Sequence, residues 1–124
     1  MIQLGQAHTS VLTVEEIHTA AHIGSGDMNV LATPIMVALM ENAAMLAVDQ
    51  ELPPEQTTVG AFIQCTHCKP SPLGAEIIAT AQLTNIDGRK LDFHVVAMQD
   101  DTIIGEGEHT RYIVDRDRFL AKLS

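Results

Sequence analysis

The sequence predicts an α+β fold in which a curved antiparallel sheet wraps around one long central helix. Three observations carry that prediction. Residues 30–48, VLATPIMVALMENAAMLAV, are apolar nearly all round and read as a buried helix. The chain after them reads as β-branched and apolar runs punctuated by turn signals. A long apolar helix that precedes a strand meander must be covered by it, or its surface stays wet.

Taken in order, His8–Val14 (HTSVLTV) reads as a first strand. Thr13 fits a helix N-cap, with Glu16 at the capping-box position, so VEEIHTAAH is expected as a short helix that stops at the glycines of GSGD. Residues 24–29 form a loop. The central helix opens with Thr33 as N-cap and Pro34 at the first helical position, where its missing N–H does no harm. It should end near Glu51, because Pro53 and Pro54 follow. Thr57–His67 is a strand closed by KPSPLG, and Ala75–Ile86 is another. Asp87-Gly88 is the strongest hairpin signal in the chain, with Lys90–Gln99 as the return strand. Asp100-Asp101 turns again into Thr102–Val114, and Asp115–Leu123 makes a terminal helix. Strand, short helix, long helix and a four-stranded meander together describe the hotdog fold. Such a sheet leaves an edge strand open, so a homodimer joined through that edge is expected.

The length of 124 residues suits one domain, 1–124, with a core of its own. With no Trp, one Tyr and three Phe, that core must be aliphatic. The net charge of -9 argues against nucleic acid and against an anionic membrane surface. A polyanionic ligand would need a local basic patch against this global field. The apolar stretches are too short or too interrupted to span a bilayer, and no basic-then-apolar leader is visible. Cys65 and Cys68 lie too close to define a disulfide framework, so reduced thiols and a cytoplasmic location are expected.

Three residues carry candidate chemistry. Glu41 interrupts the apolar helix; it either sits with Asn42 on a thin solvated stripe or is a cleft carboxylate with a catalytic task. His67 ends a strand before a Pro-rich turn, where a histidine is a structural hydrogen-bonder or a proton carrier. Thr33 is explained by capping alone, yet a helix N-terminus also offers N–H groups to a developing oxyanion. On a helix, Thr33 and Glu41 are separated by about 12 Å of rise and roughly 80° of rotation. Their side chains cannot easily meet within one chain, so a two-fold dimer with antiparallel helices would build a composite site.

Other constellations point less far. HTAAH puts His18 and His22 at a metal-compatible spacing without the glutamate of HExxH. In CTHC, strand alternation sends Cys68 away from Cys65 and His67, and no fourth ligand is evident. Gly105 and Gly107 fit close packing or a bulge better than phosphate binding. No metal and no cofactor is expected.

The stretches ATPIMVALME, TVGAFIQCTH and PLG together resemble the fluoroacetyl-CoA thioesterase-like group of hotdog proteins, over about Val11 to Val114. The resemblance implies that Thr33, Glu41 and His67 form the catalytic set for hydrolysing an acyl-CoA thioester. It also implies that Gly60 lines the thioester site and that Arg111 is a substrate-side arginine. Glu41 would attack the carbonyl or activate water, His67 would move protons, and Thr33 would orient the carboxylate or support the oxyanion. The fluoroacetyl-CoA specialists carry phenylalanine in the segment before Thr-Pro; here IGSGDMN has no aromatic, which points to another small or medium acyl group. Lys69, Arg89, Lys90 and Arg111 are the cations available to a CoA. A non-catalytic acyl-CoA binder and a hotdog dehydratase or hydratase are the competing functions.

Overall fold

In the computed structural model, which describes residues 1–124, five strands form one antiparallel sheet around a single long helix. The strands are β1 (Ala7–Thr13), β2 (Gln56–His67), β3 (Glu76–Asp87), β4 (Lys90–Gln99) and β5 (Thr102–Asp115). The helices are α1 (Ala20–Ile23), α2 (Thr33–Val48) and α3 (Arg116–Ala121). The hotdog expectation holds. No helix is long and apolar enough to cross a membrane.

The strand order, β1-β3-β4-β5-β2, corrects the expected meander. Only β3, β4 and β5 follow one another; β2 pairs with β5 at the far edge. The connection after His67 is not a hairpin, because Pro70 and Pro72 cannot serve one. It runs instead past the start of α2, where Ser71 accepts the Leu31 N–H and Pro72 bridges Val30. Both β1 and β2 are therefore edge strands.

The alternation on β3 and β4 explains the core. Ile77, Ala79, Ala81 and Leu83 on β3, and Leu91, Phe93, Val95 and Ala97 on β4, all point at the helix and are buried. They meet Met36, Met40, Ala43, Ala44, Ala47 and Val48 of α2. Alanines on both surfaces let helix and sheet approach closely, and each large apolar side chain so buried contributes about 1.5–3 kcal/mol. The helix rests chiefly on β1 and β3 and touches β2 and β5 lightly. Its flank toward β2 is thus comparatively open.

Two local readings change. The short helix is not continuous: Glu16–His18 is a 3-10 turn and α1 starts only after Thr19. The capping box uses Glu15 with His18, since Thr13 is still in β1. His18 and His22 therefore sit on different elements and not on one helix face. At α2 the N-cap is Ala32, which has no capping side chain, and Thr33 is already helical. The Thr33 hydroxyl is thereby released from capping. In the β3–β4 hairpin Asp87 still pairs with Lys90, and the turn proper is Gly88-Arg89, with Gly88 at a φ of +60°.

Candidate active site

The free Thr33 hydroxyl goes to His67. Thr33 Oγ1 lies 2.7 Å from His67 Nδ1. Burial pushes the His67 pKa down, and the Lys69 backbone carbonyl opposes that shift. The ring is therefore neutral at physiological pH. Its Nε2 is buried and has no hydrogen-bond partner within the chain. With the imidazole proton on Nε2, Nδ1 is the acceptor and the Thr33 hydroxyl the donor. A threonine O–H held by a neutral imidazole is a polarised hydroxyl. The pair opens on a cleft of about 350 Å³, a volume within the range of small-molecule sites. Ala20, Val30, Leu31 and Pro70 give it an aliphatic wall, and Ser25, Cys68 and Lys69 complete the lining.

Glu41 belongs to a second cluster, on the β2–β5 side of α2. A Cβ placed on Gly60 would lie 3.3 Å from Glu41 Oε2, 3.3 Å from His109 Cε1 and 3.5 Å from Arg111 Nη1. The glycine is thus the gap around which a carboxylate, an imidazole and a guanidinium converge. Its φ is ordinary, so the need is for space and not for backbone freedom.

Arg111 is buried, and its orientation is locked. Its Nε donates to Thr58 Oγ1 at 2.8 Å, Nη2 to the Thr58 carbonyl at 2.9 Å, and Nη1 to His109 Nε2 at 3.2 Å. His109 is also buried, and its Nδ1 donates to the Phe62 carbonyl at 2.7 Å. Arginine can only donate and a carbonyl can only accept, so the two bonds fix one neutral tautomer, with the proton on Nδ1. Burial pushes the His109 pKa down; the hydrogen bond to the Phe62 carbonyl opposes that shift, and the adjacent Arg111 charge adds to it. Burial also lowers the Arg111 pKa, while the Glu41 charge opposes that shift.

His109 was not among the residues read from the sequence. The signal was available: in EHTR, positions 109 and 111 share a strand face, so fixing Arg111 inward also fixes His109 inward.

Strict alternation would place Gly60 and His67, seven residues apart on one strand, on opposite faces. The structure puts both toward α2. Gly60 pairs with Arg111, but Phe62 pairs with Thr110, so Ala61 is an extra residue in the ladder. This bulge switches the inward positions from Thr58 and Gly60 to Ile63, Cys65 and His67. Gly105, opposite His67, confirms the inward side: a Cβ there would stand 2.5 Å from the Thr66 carbonyl and 2.7 Å from Met36 Sδ. Gly105 and Gly107 are packing glycines, as their place in the strand suggested. Cys65 packs at the core margin while Cys68 is exposed, so the two diverge as alternation predicts.

The five residues read from the sequence therefore lie in two separate groups in one chain. Thr33 and His67 meet; Glu41, Gly60 and Arg111 meet. No hydrogen bond or ion pair joins the two groups, and roughly 20 Å of strand separates Gly60 from His67. Asn42, the neighbour of Glu41, turns the other way and accepts from Ser10 Oγ at 2.7 Å.

A family model described as fluoroacetyl-CoA-specific thioesterase matches residues 14–117. The fluoroacetyl-CoA thioesterase of Streptantibioticus cattleyicolor is 36% identical over 94 residues, covering 76% of this chain and 68% of that protein. A solved structure of a fluoroacetyl-CoA thioesterase, a threonine-to-serine mutant in complex with acetyl-CoA, superposes with a TM-score of 0.93 at 30% identity, covering 98% and 96% of the two chains. A Thermus thermophilus protein of the thioesterase superfamily shares the fold, with a TM-score of 0.91 at 21% identity over 99% of this chain and 91% of that one. With its sequence matched over most of its length and its fold matched throughout, the chain belongs to the fluoroacetyl-CoA-specific thioesterase family.

Proposed function

We propose that the protein hydrolyses an acyl-CoA thioester with a small or medium acyl group to the free acid and CoA. The site is composite. Thr33 and His67 of one protomer face Glu41, Gly60 and Arg111 of a second, across paired β2 edges. The observation that carries this reading is the division of the polar set into two half-sites that share a face of the sheet without touching. Support also comes from the open flank of α2 beside β2, and from Phe62 standing 51% exposed on that edge strand. The thioesterase activity named for the S. cattleyicolor relative, and the acetyl-CoA bound to the solved structure, agree with it. The aliphatic wall that Val30, Leu31 and Pro70 give the cleft at Thr33 and the absence of any aromatic from residues 23–29 favour an alkyl acyl group over fluoroacetyl. A net charge of -9 fits a small-molecule enzyme of the cytoplasm, acting without nucleic acid or membrane.

In this arrangement the Glu41 carboxylate attacks the thioester carbonyl, the C–S bond breaks, and CoA leaves as the thiolate. Water then cleaves the resulting anhydride with neutral His67 as the base that takes its proton, giving the free acid and restoring Glu41, and the imidazolium so formed passes the proton to the thiolate. In the one-step variant Glu41 instead takes a proton from the attacking water. Buried Arg111 stands beside the carboxylate and orients it. Its guanidinium is spent on Thr58 and His109, so its role is positioning and not capture of CoA phosphates.

Mixing two inactive variants tests the composite site. Glu41→Gln and His67→Ala are each expected to lose turnover. After mixing and subunit exchange, half of the dimers pair one of each, and each such dimer holds one intact site of two. Activity should return to about a quarter of wild type for a closed two-fold dimer. No recovery from fully exchanged mixtures sinks the composite site. A panel of acyl-CoAs with no turnover by the wild type sinks the hydrolase reading itself.

A further inference from the structure

His109 is a costly residue to bury where it stands. Its ring is 1% exposed, and the Arg111 guanidinium beside it is buried as well. An imidazole next to a guanidinium is tolerable there only while neutral, because two like charges would face each other without water. An aliphatic side chain could fill the same space against Phe93, whose ring centroid lies 6.3 Å away, without that liability. The imidazole therefore does something that a hydrocarbon cannot.

Its two bonds show what that is. Nδ1 donates to the Phe62 carbonyl at 2.7 Å, and Nε2 accepts from Arg111 Nη1 at 3.2 Å. Phe62 follows the bulge at Ala61, where the ladder between β2 and β5 is locally disrupted. The bond to its carbonyl keeps the proton on Nδ1 and leaves Nε2 with a lone pair aimed at Arg111.

The guanidinium is held unevenly. Nε and Nη2 both go to Thr58, one to its hydroxyl and one to its carbonyl, so a single residue ties down that edge. Nη1 is the arm that faces the gap at Gly60. It stands 3.5 Å from the point a Cβ would occupy there, and Glu41 Oε2 stands 3.3 Å from the same point. The group that accepts from this arm is His109. The Glu41 charge acts on both Arg111 and His109, so the three form one electrostatic unit in which the imidazole sets the guanidinium and the guanidinium faces the carboxylate.

We propose that His109 is a positioning residue for the hydrolysis: its Nε2 holds the Nη1 arm of Arg111 beside Glu41, and so keeps the carboxylate where it attacks the thioester or activates water. The proposal deepens the thioesterase reading and rests on it for the task of Glu41. Burial lowers the His109 pKa, which keeps the accepting lone pair free at neutral pH.

Three substitutions in the full chain test this. His109→Leu removes the acceptor and keeps the bulk. His109→Gln keeps an amide oxygen for Nη1 and an amide N–H for the Phe62 carbonyl. Arg111→Met removes the group through which His109 acts. His109→Leu should lower kcat about 30-fold with KM within about threefold of wild type, and His109→Gln should recover most of that loss. Adding His109→Leu to Arg111→Met should lower kcat no further, because both changes break one chain of contacts. Wild-type kcat in His109→Leu, an equal loss in the Gln variant, or losses that multiply in the double variant overturns the proposal. If His109→Leu alone fails to fold, the comparison of Arg111→Met with the double variant, which strands no donor opposite residue 109, decides in its place. NMR without substrate gives a readout free of catalysis. Arg111 Nη1–H signals protected from exchange with water, lost in His109→Leu and kept in His109→Gln, support the clamp; unprotected signals in wild type overturn it. A wild type that cleaves no acyl-CoA yet shows protected, His109-dependent signals sinks the hydrolase reading and leaves the Arg111 clamp standing. Turnover that His109→Leu does not alter sinks the positioning role and leaves the hydrolase reading intact.

Discussion

Replacing Gly60 by alanine adds one methyl at the point where the Glu41, His109 and Arg111 side chains converge. That Cβ would lie 3.3 Å from Glu41 Oε2 and 3.3 Å from His109 Cε1. Carbon contacts are comfortable at about 3.5–4.0 Å, so one neighbour must withdraw by roughly half an ångström. His109 is held on both ring nitrogens, by Phe62 and Arg111. Glu41 makes no hydrogen bond, so the carboxylate is the group that moves. Catalytic geometry tolerates about 0.5 Å, and a displacement of 1 Å costs about 100-fold. The expected loss in kcat is therefore about tenfold. Folding should hardly notice, because Gly60 has an ordinary φ and lies at the surface, where alanine restricts the unfolded chain and contributes about 0.5 kcal/mol of stability. Following thiol release from acyl-CoA alongside the thermal midpoint separates the two effects. A variant with wild-type kcat and an unchanged midpoint would refute the claim that Gly60 exists to leave room for Glu41.

Three further outcomes follow from the same geometry. Thr33→Ala should lower kcat by about 100-fold or more, while Thr33→Ser, which keeps the hydroxyl on His67 Nδ1, should stay within about tenfold of wild type; equal rates for both would remove the hydroxyl from the mechanism. Arg111→Met strands buried groups on Thr58 and His109 and should cost about 2 kcal/mol in urea unfolding, with kcat falling as well because Glu41 loses its neighbour; an unaltered unfolding midpoint would contradict the buried network. The folded-state pKa values of His67 and His109 are both lowered by burial, so the unfolded chain binds more protons below the ordinary histidine value near 6.5. Stability from these two groups is fully present above that value and is lost as pH falls toward their folded pKa values. Mostly exposed His94, raised chiefly by its hydrogen bond to Glu108, works in the opposite direction. Thermal midpoints should therefore fall on acidification below pH 6.5, and a His109→Gln variant should show a shallower decline; an equally steep decline would shift the effect to other groups.

Local signals in the chain were read well where the physics is local. Lys90–Gln99 and the Asp100-Asp101 turn stand where turn chemistry put them, because a hairpin is specified by the residues at its bend. The helix from Thr33 was legible from its apolar run and the Pro34 beside its start. The seat of β2 was not, since its partner β5 is set by sheet closure and not by neighbouring residues. Capping rules account for Thr33 by itself and are silent on His67, thirty-four positions away. Glu41, His67 and Thr33 were recognisable as polar interruptions of apolar segments. His109 was hidden in a strand where a histidine is unremarkable, and only its hydrogen bonds to Phe62 and Arg111 disclose its place.

The extra residue at Ala61 has a consequence for what the chain can lose. A strand is read in twos, and this one changes its reading frame once, between Gly60 and Phe62. Removing Ala61 would leave a regular ladder: Gly60 and Ile63 would become second neighbours on one face, and Cys65 and His67 would stay turned to the helix with the partners they have now. One residue added between Ile63 and His67 would do the opposite. With the bulge kept, His67 would turn to solvent and Thr33 would face no imidazole, with none of the polar set substituted. Between Ile63 and His67 the count of residues therefore matters as much as their identity.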